Sequence, residues 1–191
     1  FAQMIKKVLR ELGADKVAIV YDPPGGSFRN EMYPEYKANR EAMPEDLVEQ
    51  LPRIRQMIDL WRIPTVEVPG YEADDVIGAL ANKAKDDYEV LIVTSDKDMG
   101  QIVGESVKLL DTMKDKTTGP DQIKEKYGVE PHKLIEILGL AGDSSDNVPG
   151  VPGIGEKTAR QLIEQYGSIE QVLAHIDEIP GKKRKENLKN Y

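Results

Sequence analysis

Met4, Ile5, Val8, Leu9 and Leu12 recur at helical spacing, which predicts a helix over residues 2–12 ended by Gly13. Lys16 to Tyr21 is a short apolar run closed by Asp22, the pattern of a strand buried in a parallel sheet. A PPGGSFR loop and a polar, tyrosine-rich stretch then reach Met43. Pro44 suits the first turn of a helix that aligns Leu47, Leu51, Ile54, Ile58 and Trp61 on one face. Residues 65–68 (TVEV) read as a strand and 72–85 as a helix. Residues 89–96 (EVLIVTSD) form a second buried strand and 107–112 (VKLLDT) a third. Strands alternating with helices indicate an α/β fold with a parallel sheet. Such sheets bind ligands beyond the carboxyl ends of their strands, where Asp22, Asp96 and Asp98 fall.

Past residue 114 the strand pattern stops. Short helices at 120–127, 131–139, 156–166 and 168–176, separated by Gly and Pro, predict a small helical subdomain. The expected division is an α/β core over 1–113 and a helical subdomain over 114–191. The basic tail GKKRKENLKNY is expected to be mobile. No run approaches 18 apolar residues, so no membrane span is expected. The opening FAQMIKKVLRELG lacks both an initiator Met and a secretory h-region, and reads as a cut boundary.

The chain has no Cys and only two His, His132 and His175, far apart. Disulfides, thiolate chemistry, zinc cages and Ser-His-Asp triads are therefore disfavoured, and a reducing cytoplasm fits. Chemistry is left to carboxylates, lysines, hydroxyls and hard cations. A net charge of −8 argues at first against nucleic acid. Yet eight of the 34 carboxylates fall in four short motifs, and the remaining acids equal the 26 Lys and Arg. An acidic pocket loaded with divalent cations is locally neutralised, so DNA stays open as a partner.

Those motifs are Asp22 itself, Glu72-Ala73-Asp74-Asp75, Asp96-Lys97-Asp98, and Asp143-Ser144-Ser145-Asp146. Each has an ordinary structural reading: acids complementing a helix dipole, a turn capped by Asp, or an N-cap. Together they crowd like charges, and Mg²⁺ or Mn²⁺ is the compensation at hand. Two such ions, held by oxygen ligands alone, can drive phosphodiester hydrolysis.

Two further segments carry positive charge or open backbone. In GVPGIGEKTA (150–159), glycines precede a helix and would let phosphates approach its N–H groups, with Lys157 and Thr158 adding contacts. It is neither a Walker A loop nor GxGxxG, and a structural turn is the alternative. Phe28-Arg29 and YPEYKANR (33–40) interleave aromatics with Lys37 and Arg40, a pattern suited to unpaired bases and phosphates as well as to a solvated loop.

The blocks FRNEMYPEYKANR, GYEADDVIG, LIVTSDKDM, LAGDSSDNVPGVPGIGEKTA and GKKRKENL, in this order, resemble the 5′-nuclease domains of bacterial DNA polymerase I within the flap endonuclease family. The resemblance implies a PIN-like α/β nuclease core with an arch near 28–46. It also implies a SAM-like helical subdomain with a helix–three-turn–helix element near 143–166. Its implied metal ligands are Asp22, Glu72, Asp74, Asp75, Asp96, Asp98, Asp143 and Asp146, serving two or more Mg²⁺ or Mn²⁺ ions. Lys37 and Arg40 match the pair at the scissile phosphate. Phe28, Arg29 and Tyr36 join them in DNA binding. Gly153, Gly155, Lys157 and Thr158 match the duplex grip, where K⁺ is a secondary ion. The implied activity is 5′→3′ exonuclease and flap endonuclease cleavage of DNA bearing a 5′ flap, nick or RNA primer. The setting is the bacterial nucleoid, in a monomer linked to a polymerase domain. Family members open with a strand and an Asp-Gly-Ser/Thr block, so a first strand and one ligand are expected to be missing here. A catalytically incomplete DNA-binding fragment is the alternative.

Overall fold

The computed structural model describes residues 1–190; Tyr191, which ends the expected helical subdomain, lies outside the described residues. The chain divides into two compact units, Phe1–Tyr33 with Arg40–Ala79, and Pro34–Asn39 with Leu80–Tyr191.

The first unit opens with helix α1 (Ala2–Leu12), stopped by Gly13 at φ 56. That left-handed conformation costs a glycine little and ends the helix. No residue of α1 is buried, and Leu9 and Leu12 on its apolar stripe stay exposed. Strand β1 (Ile19–Val20) pairs in parallel with β2 (Thr65–Val66), in register Ile19 to Thr65 and Val20 to Val66. Both are shorter than their apolar runs, because a run becomes a ladder only where a partner strand lies alongside. Where the PPGGSFR loop is expected to run into the polar stretch, the chain forms a short helix, α2 (Phe28–Met32). Its start is closed by a capping box in which the Ser27 N–H donates to Asn30 Oδ1 at 2.9 Å. Helix α3 (Glu45–Leu60) begins one residue later than expected, with Pro44 as its extended N-cap. Of its apolar face, Ile58 is fully buried and Leu47 exposed. Helix α4 (Ala73–Ala84) starts in this unit.

In the second unit, β3 (Val90–Val93) pairs in parallel with β4 (Val107–Asp111) over four residues. Strands do not stop at 114: β5 (Lys116–Thr118) returns antiparallel to β4. Its Lys-Thr-Thr sequence offers no apolar alternation, so periodicity could not mark it. The turn between them is held by Asp111 Oδ1, which accepts from the N–H groups of Met113 and Lys114. Helices α5 (Pro120–Tyr127), α6 (Leu134–Ala141), α7 (Glu156–Tyr166) and α8 (Ile169–Ala174) follow. Ile137, Leu140, Ile163, Val172 and Ile179 are fully buried among these elements. Burial of each side chain contributes roughly 1.5–3 kcal/mol. Within the basic tail, Lys182–Asn190 form helix α9. A single buried residue, Leu188, and a hydrogen bond from Asn187 Nδ2 to the Pro152 carbonyl (2.6 Å) dock it.

Between α6 and α7 the chain makes a tight hairpin, β6 (Gly142–Asp143) against β7 (Val148–Pro149). Its ends cross so closely that a Cβ on Gly142 would lie 2.2 Å from the Gly150 nitrogen, and one on Gly150 2.1 Å from the Ala141 carbonyl carbon. Only glycine fits either position. This crossing carries the Asp143–Asp146 loop.

Candidate functional site

In the first unit, Asp22 follows β1 and is exposed. Its Oδ1 accepts from the Ala73 N–H at 2.7 Å, capping the first turn of α4 across 51 residues of sequence. Asp75 reaches back to the Glu72 N–H (3.1 Å), satisfying another donor at that helix start. Arg29 grips the same carboxylate through both guanidinium nitrogens, at 2.7 and 2.7 Å, and lies 3.9 Å from Glu72. The buried Ser27 hydroxyl donates to Glu72 at 3.5 Å. Asp74 is exposed beside them. The sequence assigned the compensation of crowded acids to cations alone; here a guanidinium already supplies part of it. Arg29, expected among the DNA contacts, is occupied with Asp75 and lies 4.6 Å from the Phe28 ring. Phe28 is partly exposed and packs at 5.7 Å against Tyr71.

In the second unit, the chain turns at the end of β3 through Thr94 and Asp96. The Asp96 N–H bonds Thr94 Oγ1 (3.0 Å), and the Asp98 N–H bonds Asp96 Oδ1 (2.8 Å). Such side-chain-to-backbone bonds are what Asp and Thr supply at turns. Asp98 is half-buried beside a cavity of ≈ 20 Å³, lined also by Lys97, Tyr127, Leu134 and Glu156. Burial, a hydrogen bond to Asp143 and the charge of Asp96 push Asp98 up to about 7. Burial also raises Asp143, but bonds from the Ser145 hydroxyl and N–H and from Asp98 outweigh it and hold Asp143 below the usual carboxylate range. Two carboxyl groups 45 residues apart in sequence are thus brought into hydrogen-bonding contact. Among the described residues, no three His, Cys, Asp or Glu side chains form a group that would hold a metal ion. These carboxylates are oxygen donors, the type a hard divalent cation takes.

Residues 34–39 belong to this unit and are strapped to the Asp143–Asn147 loop. The Lys37 N–H donates to the Asp146 carbonyl (2.9 Å), Asn39 Nδ2 to the Ser144 carbonyl (2.8 Å) and Asn147 Nδ2 to the Glu35 carbonyl (2.6 Å). Tyr36 is buried, and its hydroxyl donates to Asp146 Oδ2 at 2.8 Å. In this conformation its ring is therefore not presented for stacking on a base. Lys37 Nζ stands 3.8 Å from Asp146 Oδ2, with φ 57 at its own backbone. Arg40 is exposed in the first unit.

Gly153 has φ 81, and Gly155 is the N-cap of α7, with Lys157 exposed and Thr158 half-exposed in its first turn. No side chain caps this helix start, so its first N–H groups have no side-chain acceptor. Sequence reasoning did not single out Ser27 or Asn39, and took Gly142 and Asn147 only as the flanks of the Asp143–Asp146 motif. Only the glycine spacing in 142–155 carried a signal for any of them.

The family model of the 5′-3′ exonuclease N-terminal resolvase-like domain matches residues 1–128, and that of the 5′-3′ exonuclease C-terminal SAM fold matches residues 129–191. Among curated relatives, DNA polymerase I of Bacillus caldotenax is 42% identical over 196 aligned residues, spanning 100% of this chain and 22% of that protein. The thermostable DNA polymerase I of Thermus aquaticus is 46% identical over 180, spanning 94% and 21%. The chain therefore spans about a fifth of the length of these relatives. Among solved structures, the bacteriophage T5 D15 protein co-crystallised with metal ions superimposes with TM-score 0.85 at 24% identity, covering 99% of this chain and 74% of that one. The catalytic core of Rad2 in complex with DNA substrate gives 0.63 at 19%, covering 98% and 62%. At these identities the two structures establish the fold alone.

Proposed function

Since the chain belongs to the 5′-3′ exonuclease family, we propose that it acts as a structure-specific 5′ nuclease, hydrolysing phosphodiesters of DNA or RNA with Mg²⁺ or Mn²⁺. The Asp98–Asp143 contact carries this reading: two carboxyl groups from separate loops lie in hydrogen-bonding contact, with the charge of Asp96 adjoining. Without a ligand of positive charge, such crowding is unfavourable above neutral pH. Asp22, Glu72, Asp74 and Asp75 in one unit, and Asp96, Asp98, Asp143 and Asp146 in the other, are the proposed ligands. Bound divalent cations supply Lewis-acid polarisation and charge neutralisation at the phosphate.

The chain's own groups do the rest. Lys37 and Arg40 meet the scissile phosphate, for which Lys37 leaves Asp146. Phe28, Arg29 and Tyr36 contact the displaced strand, Arg29 and Tyr36 by exchanging their present partners. Gly153, Gly155, Lys157 and Thr158 hold the duplex backbone through N–H groups, an ammonium and a hydroxyl, without reading sequence. K⁺ is the proposed secondary ion there. The substrates would be 5′ flaps, nicks and RNA primers. The length of the relatives supports a covalently linked polymerase portion, and monomeric action in the cytoplasm completes the reading. No helix among the described residues is long and apolar enough to cross a membrane. The proposed functional division is 1–113 for the nuclease core and 114–191 for the helical DNA-binding part.

The test is cleavage of a 5′-labelled flap substrate with Mg²⁺ or with EDTA, for the chain and its Asp96→Asn variant. Metal-dependent cutting near the junction, abolished in Asp96→Asn with DNA binding retained, is expected. Loss of binding together with cutting would remove Asp96 from the metal site. Salt-sensitive binding without any cutting would leave a DNA-binding module only.

A further inference from the structure

Helix α9 carries five cations in nine residues, Lys182, Lys183, Arg184, Lys185 and Lys189, against one acid, Glu186. These cations are not equivalent. Lys185 Nζ donates to the Asp177 carbonyl at 2.5 Å, and Lys189 Nζ lies 3.3 Å from the Asp177 carboxylate. Arg184 donates to the Pro180 carbonyl at 3.3 Å. Lys182 and Lys183 are exposed and pair with no acid among the described residues. They also stand in the first turn of α9, which holds no acid. The helix dipole disfavours cations at that end, so the fold gains nothing from their charge.

What they adjoin is the glycine turn before α7. Asn187 Nδ2 donates to the Pro152 carbonyl, and the same nitrogen would lie 3.9 Å from a Cβ on Gly153. Lys183 precedes Asn187 by four residues, so both share the face of α9 turned to Pro152–Gly153. A lysine stem reaches about one helical turn along such a face. Lys183 thus stands one helical turn from the residue that meets Pro152–Gly153, on the same face of α9, and Lys157 is exposed in the first turn of α7. Leu188, buried on another side of α9, fixes the helix in this pose.

We propose that Lys183, assisted by Lys182, is a second contact to the nucleic-acid sugar–phosphate backbone, extending the grip at Gly153–Thr158 to a neighbouring phosphate. The partner is the backbone of a duplex, engaged by charge and not by sequence. Lys185 and Lys189, held by Asp177, are outside this surface. The proposal rests on the duplex-binding reading given above, and the experiment separates the two.

A labelled blunt duplex without a flap is titrated by fluorescence anisotropy in EDTA at a series of salt concentrations. The proteins are the unaltered chain and the variants Lys157→Ala, Lys182→Ala/Lys183→Ala and Lys189→Ala, each checked by thermal melting. The double variant should bind more weakly, with a salt slope shallower by about 0.9 for each phosphate no longer neutralised. Lys189→Ala should keep the slope of the unaltered chain. Retained binding and slope in the folded double variant, with Lys157→Ala weakened, would overturn the role of α9 and leave the glycine turn as the grip. No duplex binding by the unaltered chain would overturn both readings. Weakening in Lys189→Ala equal to that in the double variant would show diffuse attraction and also overturn the proposal.

Discussion

Replacing Gly150 by alanine places one methyl group where two backbone segments cross. Its Cβ would lie 2.1, 2.2 and 2.3 Å from the carbonyl carbon and oxygen of Ala141 and the nitrogen of Gly142. All three neighbours are backbone atoms, so no rotamer change relieves the overlap. The crossing must open by about 1 Å to reach ordinary contact. Opening it breaks the bond from the Val151 N–H to the Leu140 carbonyl (2.8 Å) and the two-residue ladder of β6 and β7. Each broken hydrogen bond costs about 0.5–1.5 kcal/mol. It also shifts Val151 and Ile154, both buried, where overpacking costs typically about 1–3 kcal/mol. Gly150→Ala is therefore expected to cost about 3–5 kcal/mol, a large share of a typical domain's stability. Gly142→Ala meets the same crossing from the other side at φ 72, which adds roughly 1–2 kcal/mol of backbone strain. Gly153→Ala is the control: φ is 81, but the nearest group is a side-chain nitrogen at 3.9 Å, so only the strain of roughly 1–2 kcal/mol applies. Urea unfolding followed by circular dichroism in EDTA ranks the three variants. Stability of Gly150→Ala within about 1 kcal/mol of the unaltered chain, or above that of Gly153→Ala, would refute the reasoning. Because the crossing carries Asp143 and Asp146, Gly150→Ala should also lose the stabilisation that added Mg²⁺ confers.

Arg29→Met removes the forked contact to Asp75 from a half-exposed position, and should cost about 1–3 kcal/mol in chemical denaturation without metal; an unchanged midpoint would mean solvent already screens the pair. Asp98 binds its proton more tightly folded than unfolded, so metal-free stability should fall as pH rises from 3.8 to about 7. Urea midpoints across that range should show this fall, and Asp98→Asn should flatten it; an equal fall in the variant would assign it to other groups. Tyr36→Phe deletes the bond to Asp146 and should cost about 1 kcal/mol while making residues 34–39 more sensitive to limited proteolysis. Unchanged cleavage there would show that the backbone bonds of the strap suffice.

Local rules made much of this protein legible from residues alone. Helix α7 spans the expected 156–166 because Gly155 opens it and Gly167 closes it around a regular apolar stripe. The alternation of strands and helices, and the acids at the ends of β1 and β3, follow from runs of a few residues with fixed periods. Periodicity fails where an element is polar or minimal: β5 is Lys-Thr-Thr, α2 is five residues long, and α9 buries one leucine. Those elements exist because a neighbour pairs or covers them, and a local pattern holds no record of the neighbour. The same limit applies to charge. Nothing near Asp75 in sequence announces that Arg29, 46 positions away, neutralises it, or that Tyr36 reaches Asp146 across 110. Sequence determined which chemistry was available, oxygen ligands without thiol or imidazole clusters, and where along the chain it lay. The tertiary structure decided which carboxylates meet a guanidinium, a hydroxyl or each other. Electrostatic pairing depends on distance through space, which the chain path sets only when the whole of it has folded.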